Sequence, residues 1–138
     1  TLAAADLVTG HRRHGTPESL IRYVNVSEPG AGNAVIADAA PKSLIVNATG
    51  LGKDRPGSPL ADDAVLPLGA YVWEFNYRGT LEFLAQARAQ AEARELTVVD
   101  GWRYFIHGWT QVISEVFSVE MPPARVEELA TIAEFARA

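Results

Sequence analysis

The sequence contains no cysteine, which excludes disulfides, a thiolate nucleophile and cysteine-ligated zinc. It also has no apolar run long enough to cross a bilayer, so we expect no membrane partner. Positive charge is scarce, because 12 Lys and Arg face 17 Asp and Glu and the net charge is −5. Phosphate binding needs a concentrated positive field, so nucleic acid is not expected as the main partner.

What is present is sufficient for one folded domain, because 48% of the 138 residues are hydrophobic and 21% are charged. Methionine occurs once, at Met121, and the chain begins with Thr1. Since translation normally begins with methionine, we expect these residues to be part of a longer protein. His11 and His14 are spaced i and i+3 without an evident third ligand, so no metal site is expected.

Short β-branched segments alternate along the chain with segments of helical periodicity. This alternation predicts an α/β fold with a mainly parallel sheet. Residues 2–14 favour a helix but also fit a short strand over 6–9 followed by a basic loop. The nearly continuous apolar run within 43–49 is typical of a strand buried on both faces. The predicted strands cover residues 19–26, 43–49, 70–76 and 96–99, and the predicted helices cover 2–14, Asn33 to about Ala40, a stretch opened by Thr80, 102–117 and about 124–137.

Ligands of open parallel sheets bind beyond the carboxyl ends of the strands. Residues 47–53, 76–79 and 100–104 occupy such positions, so we expect them to converge on one edge of the sheet. Glycines in the first segment would let backbone amides approach a ligand, although the spacing alone favours a plain turn with an Asx hydrogen bond. Asp100 is placed to cap the next helix, whose N-terminus either binds an anion or is simply capped.

The helix predicted over 102–117 carries two faces of different character. A ligand could lie against Gly108 on its polar face, or that face is solvated and the glycine serves packing. His107 could act as a general base, but a structural role is favoured because base catalysis needs a partner in reach. The polar face consists of Tyr104, Gly108, Gln111 and Glu115, and the face expected to be buried consists of Phe105, Trp109, Val112 and Val116.

Three segments together resemble motifs of one enzyme family. Residues 43–52 (SLIVNATGLG) resemble the "LIINATPLGM" segment of shikimate dehydrogenases. Residues 70–77 (AYVWEFNY) resemble that family's "VYDVVYNP" strand, and residues 98–107 (VVDGWRYFIH) resemble its "VVDGLGMLVHQ" segment. The motifs occur in the family order, and the resemblance covers about residues 43–120.

The resemblance implies an NAD(P)-dependent oxidoreductase that transfers a hydride between nicotinamide and a cyclic hydroxy or keto acid such as shikimate or quinate. It implies a cytoplasmic enzyme of aromatic amino acid biosynthesis. Residues 1–138 would be the C-terminal portion of an incomplete Rossmann-like dinucleotide-binding domain, with a terminal helix at about 124–137. The matching cofactor positions, for NADP or NAD, are Asn47, Ala48, Thr49, Gly50, Gly101 and Tyr104, and the substrate positions are Tyr77 and Gln111.

Several positions depart from the family pattern. Gly50 replaces a proline, Lys53 a methionine and Glu74 an aspartate, and Gly108 stands where the family has a substrate-binding glutamine. Gln111, one turn further on, is the expected substitute. These changes imply a divergent substrate, or a non-catalytic ligand-binding or regulatory module that kept the fold.

Catalytic groups of the family have no counterpart in this sequence. Its catalytic Lys and Asp and its glycine loop would lie upstream of Thr1, in a missing N-terminal part of the same protein. In the family's strand order the segment 19–26 would be separated from 43–49 by two absent strands, which leaves bare sheet edges. The expected partners are therefore a small cyclic acid, that N-terminal part and a second copy in a homodimer.

Overall fold

A computed structural model describes residues 23–26 and 31–135. The helix predicted over 2–14 and the first part of the strand predicted over 19–26 lie outside these ranges. Residues 23–26 are exposed and form no strand, so the predicted strand is wrong over that part. A strand is defined by its ladder, and no ladder joins residues 23–26 to the three described strands.

Three parallel strands form the sheet, in the spatial order β1-β2-β3. Their register aligns Val46, Trp73 and Val99 across the three strands. The predicted α/β fold with a parallel sheet is therefore confirmed. The elements are α1 (Ala31–Ala37), β1 (Leu44–Asn47), β2 (Tyr71–Glu74), α2 (Glu82–Gln90), β3 (Thr97–Val99), α3 (Trp102–Phe117) and α4 (Pro123–Glu134).

One face of the sheet carries the main hydrophobic core. Both connections between strands contribute to it, the first as an irregular segment over 48–70 and the second through α2. Gln90 donates to the Ala64 carbonyl at 3.0 Å and accepts from the Leu66 amide at 3.0 Å, so α2 satisfies backbone groups of the irregular segment. The buried residues of this core are Leu60, Ala64, Leu66, Ala70, Val72, Phe83 and Ala87.

The opposite face of the sheet is open over the described part of the chain. Leu44, Val46, Tyr71 and Val99 are exposed there. The expectation that the strand within 43–49 is buried on both faces is therefore wrong for the described residues. Both described connections pack on the other side, because the strand order runs in one direction across the sheet.

Two helix starts differ from the sequence-based expectation. Asn33 lies inside α1 rather than at its cap. Its side-chain oxygen accepts a hydrogen bond from the Ala61 amide at 3.0 Å, which links α1 to the irregular segment over 48–70. Thr80 precedes α2, whose N-cap is Leu81 in the left-handed region at φ 49°. The sequence thus predicted that both helices exist, whereas the residues at which α1 and α2 begin depend on tertiary contacts.

Helices α3 and α4 pack on each other beyond the sheet. Trp102, Ile106 and Thr110 are the buried residues of α3, and Trp102 and Ile106 form one hydrophobic cluster with Val126 and Ala130 of α4. The predicted apolar face of α3 is therefore not its core face. The residues Trp109, Val112 and Val116 are exposed, and Phe105 is half-buried. Among the described residues, no helix combines the length and apolar character that crossing a bilayer requires.

Candidate functional site

A cavity of about 590 Å³ opens at the carboxyl ends of β1 and β2, beside the first half of α3. Segments 47–53 and 76–79 and the start of α3 meet there, as the strand-end rule predicts. The volume is in the range of small-molecule sites. The residues that line it are Ala48, Thr49, Gly50, Lys53, Phe75, Asn76, Tyr77, Tyr104, Phe105, Gly108, Trp109 and Val112.

A buried polar network joins the strand ends behind the cavity. The Asn47 amide donates from Nδ2 to Oε2 of Glu74 at 2.8 Å, and the Asn76 backbone N–H donates to Oε1 of Glu74 at 2.8 Å. Asn76 also donates from Nδ2 to the Leu51 carbonyl at 3.0 Å. Glu74 and Asn47 are almost completely buried. The network therefore fixes the ends of β1 and β2, and the segment after β1, relative to each other.

Burial governs the protonation of Glu74. Removal from water raises the pKa of its carboxyl group above the ordinary value of 4.5, while the hydrogen bonds from Asn76 and Asn47 act in the opposite direction. The donors compensate the buried charge in part.

The turn after β1 is built on Asn47. Its Oδ1 accepts from the Thr49 backbone amide at 3.1 Å and from Thr49 Oγ1 at 2.7 Å, which is the Asx-type turn expected for this segment. Gly50 follows with φ 75°, a conformation that favours glycine. The turn thus exposes Ala48, Thr49 and Gly50 at the cavity while the Asn47 side chain stays behind it.

Five aromatic residues form what we call the aromatic wall of the cavity: Phe75, Tyr77, Tyr104, Phe105 and Trp109. Phe75 and Tyr104 are stacked at 4.7 Å between ring centroids, and Tyr77 and Phe105 are stacked at 3.9 Å. Each pair joins the segment after β2 to α3. The stacking fixes α3 against the strand end and presents flat apolar surface to a ligand.

A cluster of three charged side chains, Lys53, Asp54 and Arg78, lies at one side of the cavity. Lys53 Nζ is 3.3 Å from Asp54 Oδ2, and Arg78 is 3.2 Å from Asp54 Oδ1. Both cations lie near the Tyr77 ring, with Lys53 Nζ 5.5 Å and Arg78 Cζ 5.9 Å from its centroid. The arrangement places two positive charges and one negative charge around one aromatic ring.

The structure brings together most of the residues selected from the sequence. Ala48, Thr49, Gly50, Tyr77 and Tyr104 all line the cavity. Their roles toward a cofactor or substrate stay predictions.

Three other selected residues do not line the cavity. The side-chain amide of Asn47 is engaged in internal hydrogen bonds with Leu51, Glu74 and Thr49, so it positions the turn after β1, and its role toward a cofactor stays a prediction. Gly101 is buried against the Phe75 and Asn76 carbonyls. Gln111 is exposed and donates to Glu115 Oε1 at 2.8 Å. Its side chain follows α3 to the next turn and lies outside the cavity lining, and its role toward a substrate stays a prediction.

The N-terminus of α3 differs by one residue from the expectation. Gly101, not Asp100, is the N-cap residue, and the Asp100 carboxylate accepts from the Trp102 amide at 3.1 Å. This hydrogen bond joins residues only two positions apart, so the interpretation of the helix start as a capped N-terminus is sufficient to explain it.

The two remaining candidates on α3 differ in environment. A Cβ atom at Gly108 would meet no atom within 4 Å, so this glycine opens space beside the cavity and serves no packing contact. His107 is exposed and does not belong to the cavity lining. His11 and His14 lie outside the described residues. Over residues 23–26 and 31–135, no group of three or more His, Asp or Glu is arranged to hold a metal ion.

Sequence reasoning selected neither Lys53 nor Phe75 as an individual site residue, although Lys53 ends the segment 47–53 that was expected at this edge of the sheet. A signal for Phe75 existed in the alternation Trp73, Phe75, Tyr77, which places aromatic side chains on one side of β2 and its extension. For Lys53, the departure from the family motif was visible, but its position depends on how the glycine-rich turn folds.

Comparisons with protein-family models, curated proteins and solved structures gave no match to the chain.

Proposed function

We propose that this chain is part of a shikimate dehydrogenase-like NAD(P)-dependent oxidoreductase, within an incomplete Rossmann-like domain. The observation that supports this most is the meeting of the three motif segments at one cavity at the carboxyl ends of β1 and β2. The motifs are far apart in the sequence, at 43–52, 70–77 and 98–107. Strand direction brings the three segments to one edge of the sheet, and each of them contributes residues to the lining of the cavity.

The residues present fit the ring end of a nicotinamide cofactor. Ala48, Thr49 and Gly50 would lie along one side, and Tyr104, stacked on Phe75, would lie along another. A cavity of about 590 Å³ has room for such a ring together with a small cyclic substrate. NADP or NAD would supply the hydride acceptor or donor when bound.

The chain's own residues would bind and orient. Tyr77 would contact the substrate, and its stack on Phe105 holds the ring in place. Asn47 and Glu74 would keep the cofactor-side turn and the substrate-side segment at a fixed separation.

The test is turnover of shikimate and quinate by the full-length protein with NADP and with NAD, followed by absorbance of the reduced nicotinamide. Measurable turnover supports the proposal. Absence of turnover together with absence of dinucleotide binding in calorimetry would reject it.

One observation favours a second candidate, a non-catalytic ligand-binding or regulatory module. Gly108 leaves open space where the resembling family has a substrate-binding glutamine. Among the described residues that line the cavity, none has a carboxylate or imidazole side chain that could serve as a base. This candidate predicts ligand binding without hydride transfer, so oxidation of any cyclic hydroxy acid would exclude it.

A further inference from the structure

Lys53 is the one charged side chain among the residues that line the cavity in the described part of the chain. Its side chain is 24% exposed, so solvent screens its charge less than that of a fully exposed lysine. The protein as a whole is acidic, with a net charge of −5. A positive charge at this position is therefore a local feature of the cavity and not a consequence of composition.

The backbone around Lys53 is closely held. Its amide donates to the Gly50 carbonyl at 3.2 Å, and the Gly52 carbonyl accepts from the Leu81 amide at 3.1 Å. A Cβ atom at Gly79 would overlap the Gly52 carbonyl and come within 2.9 Å of Lys53 Cα, so the two segments are in backbone contact. The base of the Lys53 side chain is thus fixed before any ligand binds.

Neighbouring carboxylates do not neutralise this cation. Asp54 is shared between Lys53 and Arg78, at 3.3 Å and 3.2 Å, so the three groups together keep one net positive charge. Asp54 is more than half exposed, and such exposed pairs are weak. Glu74 is not part of the lining, and its oxygens accept hydrogen bonds from Asn47 and Asn76. A ligand in the cavity therefore meets the Lys53 charge.

The surroundings of Lys53 favour a ring that carries one acidic group. Its Nζ lies 5.5 Å from the centroid of Tyr77, whose ring is stacked on Phe105. A flat apolar surface beside a single cation suits a cyclic carboxylate. A phosphate site would present several free backbone N–H groups, but the Thr49 and Leu51 amides are occupied by Asn47 and Thr49 side-chain oxygens.

We propose that Lys53 binds the carboxylate of the ligand and makes the cavity selective for cyclic acids over their neutral analogues. The choice of cyclic hydroxy acids as ligands rests on the proposed function. The role of Lys53 rests on the cavity geometry alone, since the resembling family has methionine at this position.

The experiment measures binding by calorimetry with the full-length protein and three variants, Lys53→Met, Lys53→Arg and Lys42→Met. The probes are shikimate, quinate and benzoate, the methyl ester of each, and NADP and NAD. The chain has only two lysines, so Lys42→Met is a matched control that removes the same charge. Lys42 is exposed and precedes β1, at the end of the strand remote from the cavity. Thermal unfolding checks that each variant is folded.

We expect at least one acid to bind the wild-type protein, and Lys53→Met to weaken that binding about tenfold to a hundredfold. Lys53→Arg should retain binding within a few-fold, because the charge is kept, and Lys42→Met should have no effect. Binding of the methyl esters and of the dinucleotides should be the same in Lys53→Met and wild type. If no acid binds the wild type, if Lys53→Met binds the acid as well as wild type, or if dinucleotide affinity falls instead, the proposal is overturned.

The result also separates this inference from the proposed function. Acid binding that depends on Lys53, with neither hydride transfer nor dinucleotide binding, supports the inference and rejects the oxidoreductase. Turnover with a KM for the acid that is the same in Lys53→Met and wild type supports the oxidoreductase and contradicts the role of Lys53 in binding the carboxylate.

Discussion

Asn47 and Glu74, the register partners that end β1 and β2, are joined in the protein interior by a hydrogen bond of 2.8 Å from Nδ2 to Oε2. Segments that follow strands almost always run over the protein surface, exposed to solvent. Here the same asparagine also holds the turn to Thr49, so one side chain links two strands and one wall of the cavity.

Replacement of Asn47 should therefore destabilise the fold. Asn47→Ala removes a donor from a buried carboxylate and the acceptor of the Thr49 turn, and we expect a loss of about 2–3 kcal/mol in the free energy of unfolding. Urea denaturation measures this loss. Asn33→Ala is the control, because its hydrogen bonds to Asp63 and Ala61 are exposed, and it should cost less than about 1 kcal/mol. Equal losses in the two variants would contradict the role of the buried network.

Glu74 should make stability depend on pH in the direction opposite to a salt-bridged carboxylate. Burial raises the pKa of its carboxyl group above 4.5, so the folded state keeps a proton that the unfolded state has already released. Its contribution to stability is complete below the unfolded pKa and is lost as pH rises through the folded pKa. The free energy of unfolding of wild type minus that of Glu74→Gln should fall over this window and then level off.

The measurement is urea denaturation of both proteins at a series of values from about pH 4 to about pH 8. The Gln variant has no titrating group at this position, so the other carboxylates cancel in the difference. A difference that rises with pH would show that hydrogen bonds outweigh burial at Glu74.

Substitution by alanine should change the stability of the protein in opposite directions at Gly101 and at Gly108. A Cβ atom at Gly101 would overlap the Phe75 and Asn76 carbonyl oxygens, so Gly101→Ala should destabilise by about 1–3 kcal/mol. Gly108 lies within α3 with no atom within 4 Å of its added Cβ, so Gly108→Ala should stabilise by about 0.5–1 kcal/mol. Thermal unfolding of the pair gives the comparison, and destabilisation by Gly108→Ala would mean that this glycine has a packing role.

Tyr77 should contribute to substrate binding more than to cofactor binding. Tyr77→Phe keeps the stack on Phe105 and removes the hydroxyl group, so the fold should be retained while the KM for the acid rises about tenfold. Steady-state kinetics and dinucleotide calorimetry measure the two effects. A loss of dinucleotide affinity at unchanged KM would place Tyr77 on the cofactor side instead.

The sequence was sufficient for the parallel order of the sheet and for the bounds of α3. Alternation of apolar segments depends on local chemistry, and Asp100 was a clear signal for the start of α3, which the structure ends at Ser118 in the left-handed region at φ 52°. The strand-end rule then brought three distant segments to one edge, because the edge follows from strand direction alone.

The faces of elements were less predictable, for a physical reason. Trp109 and Val112 form a periodic apolar stripe, but α3 turns Trp102 and Ile106 toward α4, so the stripe faces the cavity and solvent. Hydrophobic periodicity identifies a stripe but not the surface that it meets. A glutamate within a strand likewise suggests exposure, and the burial of Glu74 depends on donors from two other positions, Asn47 and Asn76.

The most direct test of the central proposal is hydride transfer by the full-length protein. Shikimate and quinate are each offered with NADP and with NAD, and reduced nicotinamide is followed at 340 nm, alongside calorimetry of the dinucleotides. The proposed function predicts turnover with at least one pair and binding of the corresponding dinucleotide. Neither turnover nor dinucleotide binding, in a protein shown to be folded, would contradict it.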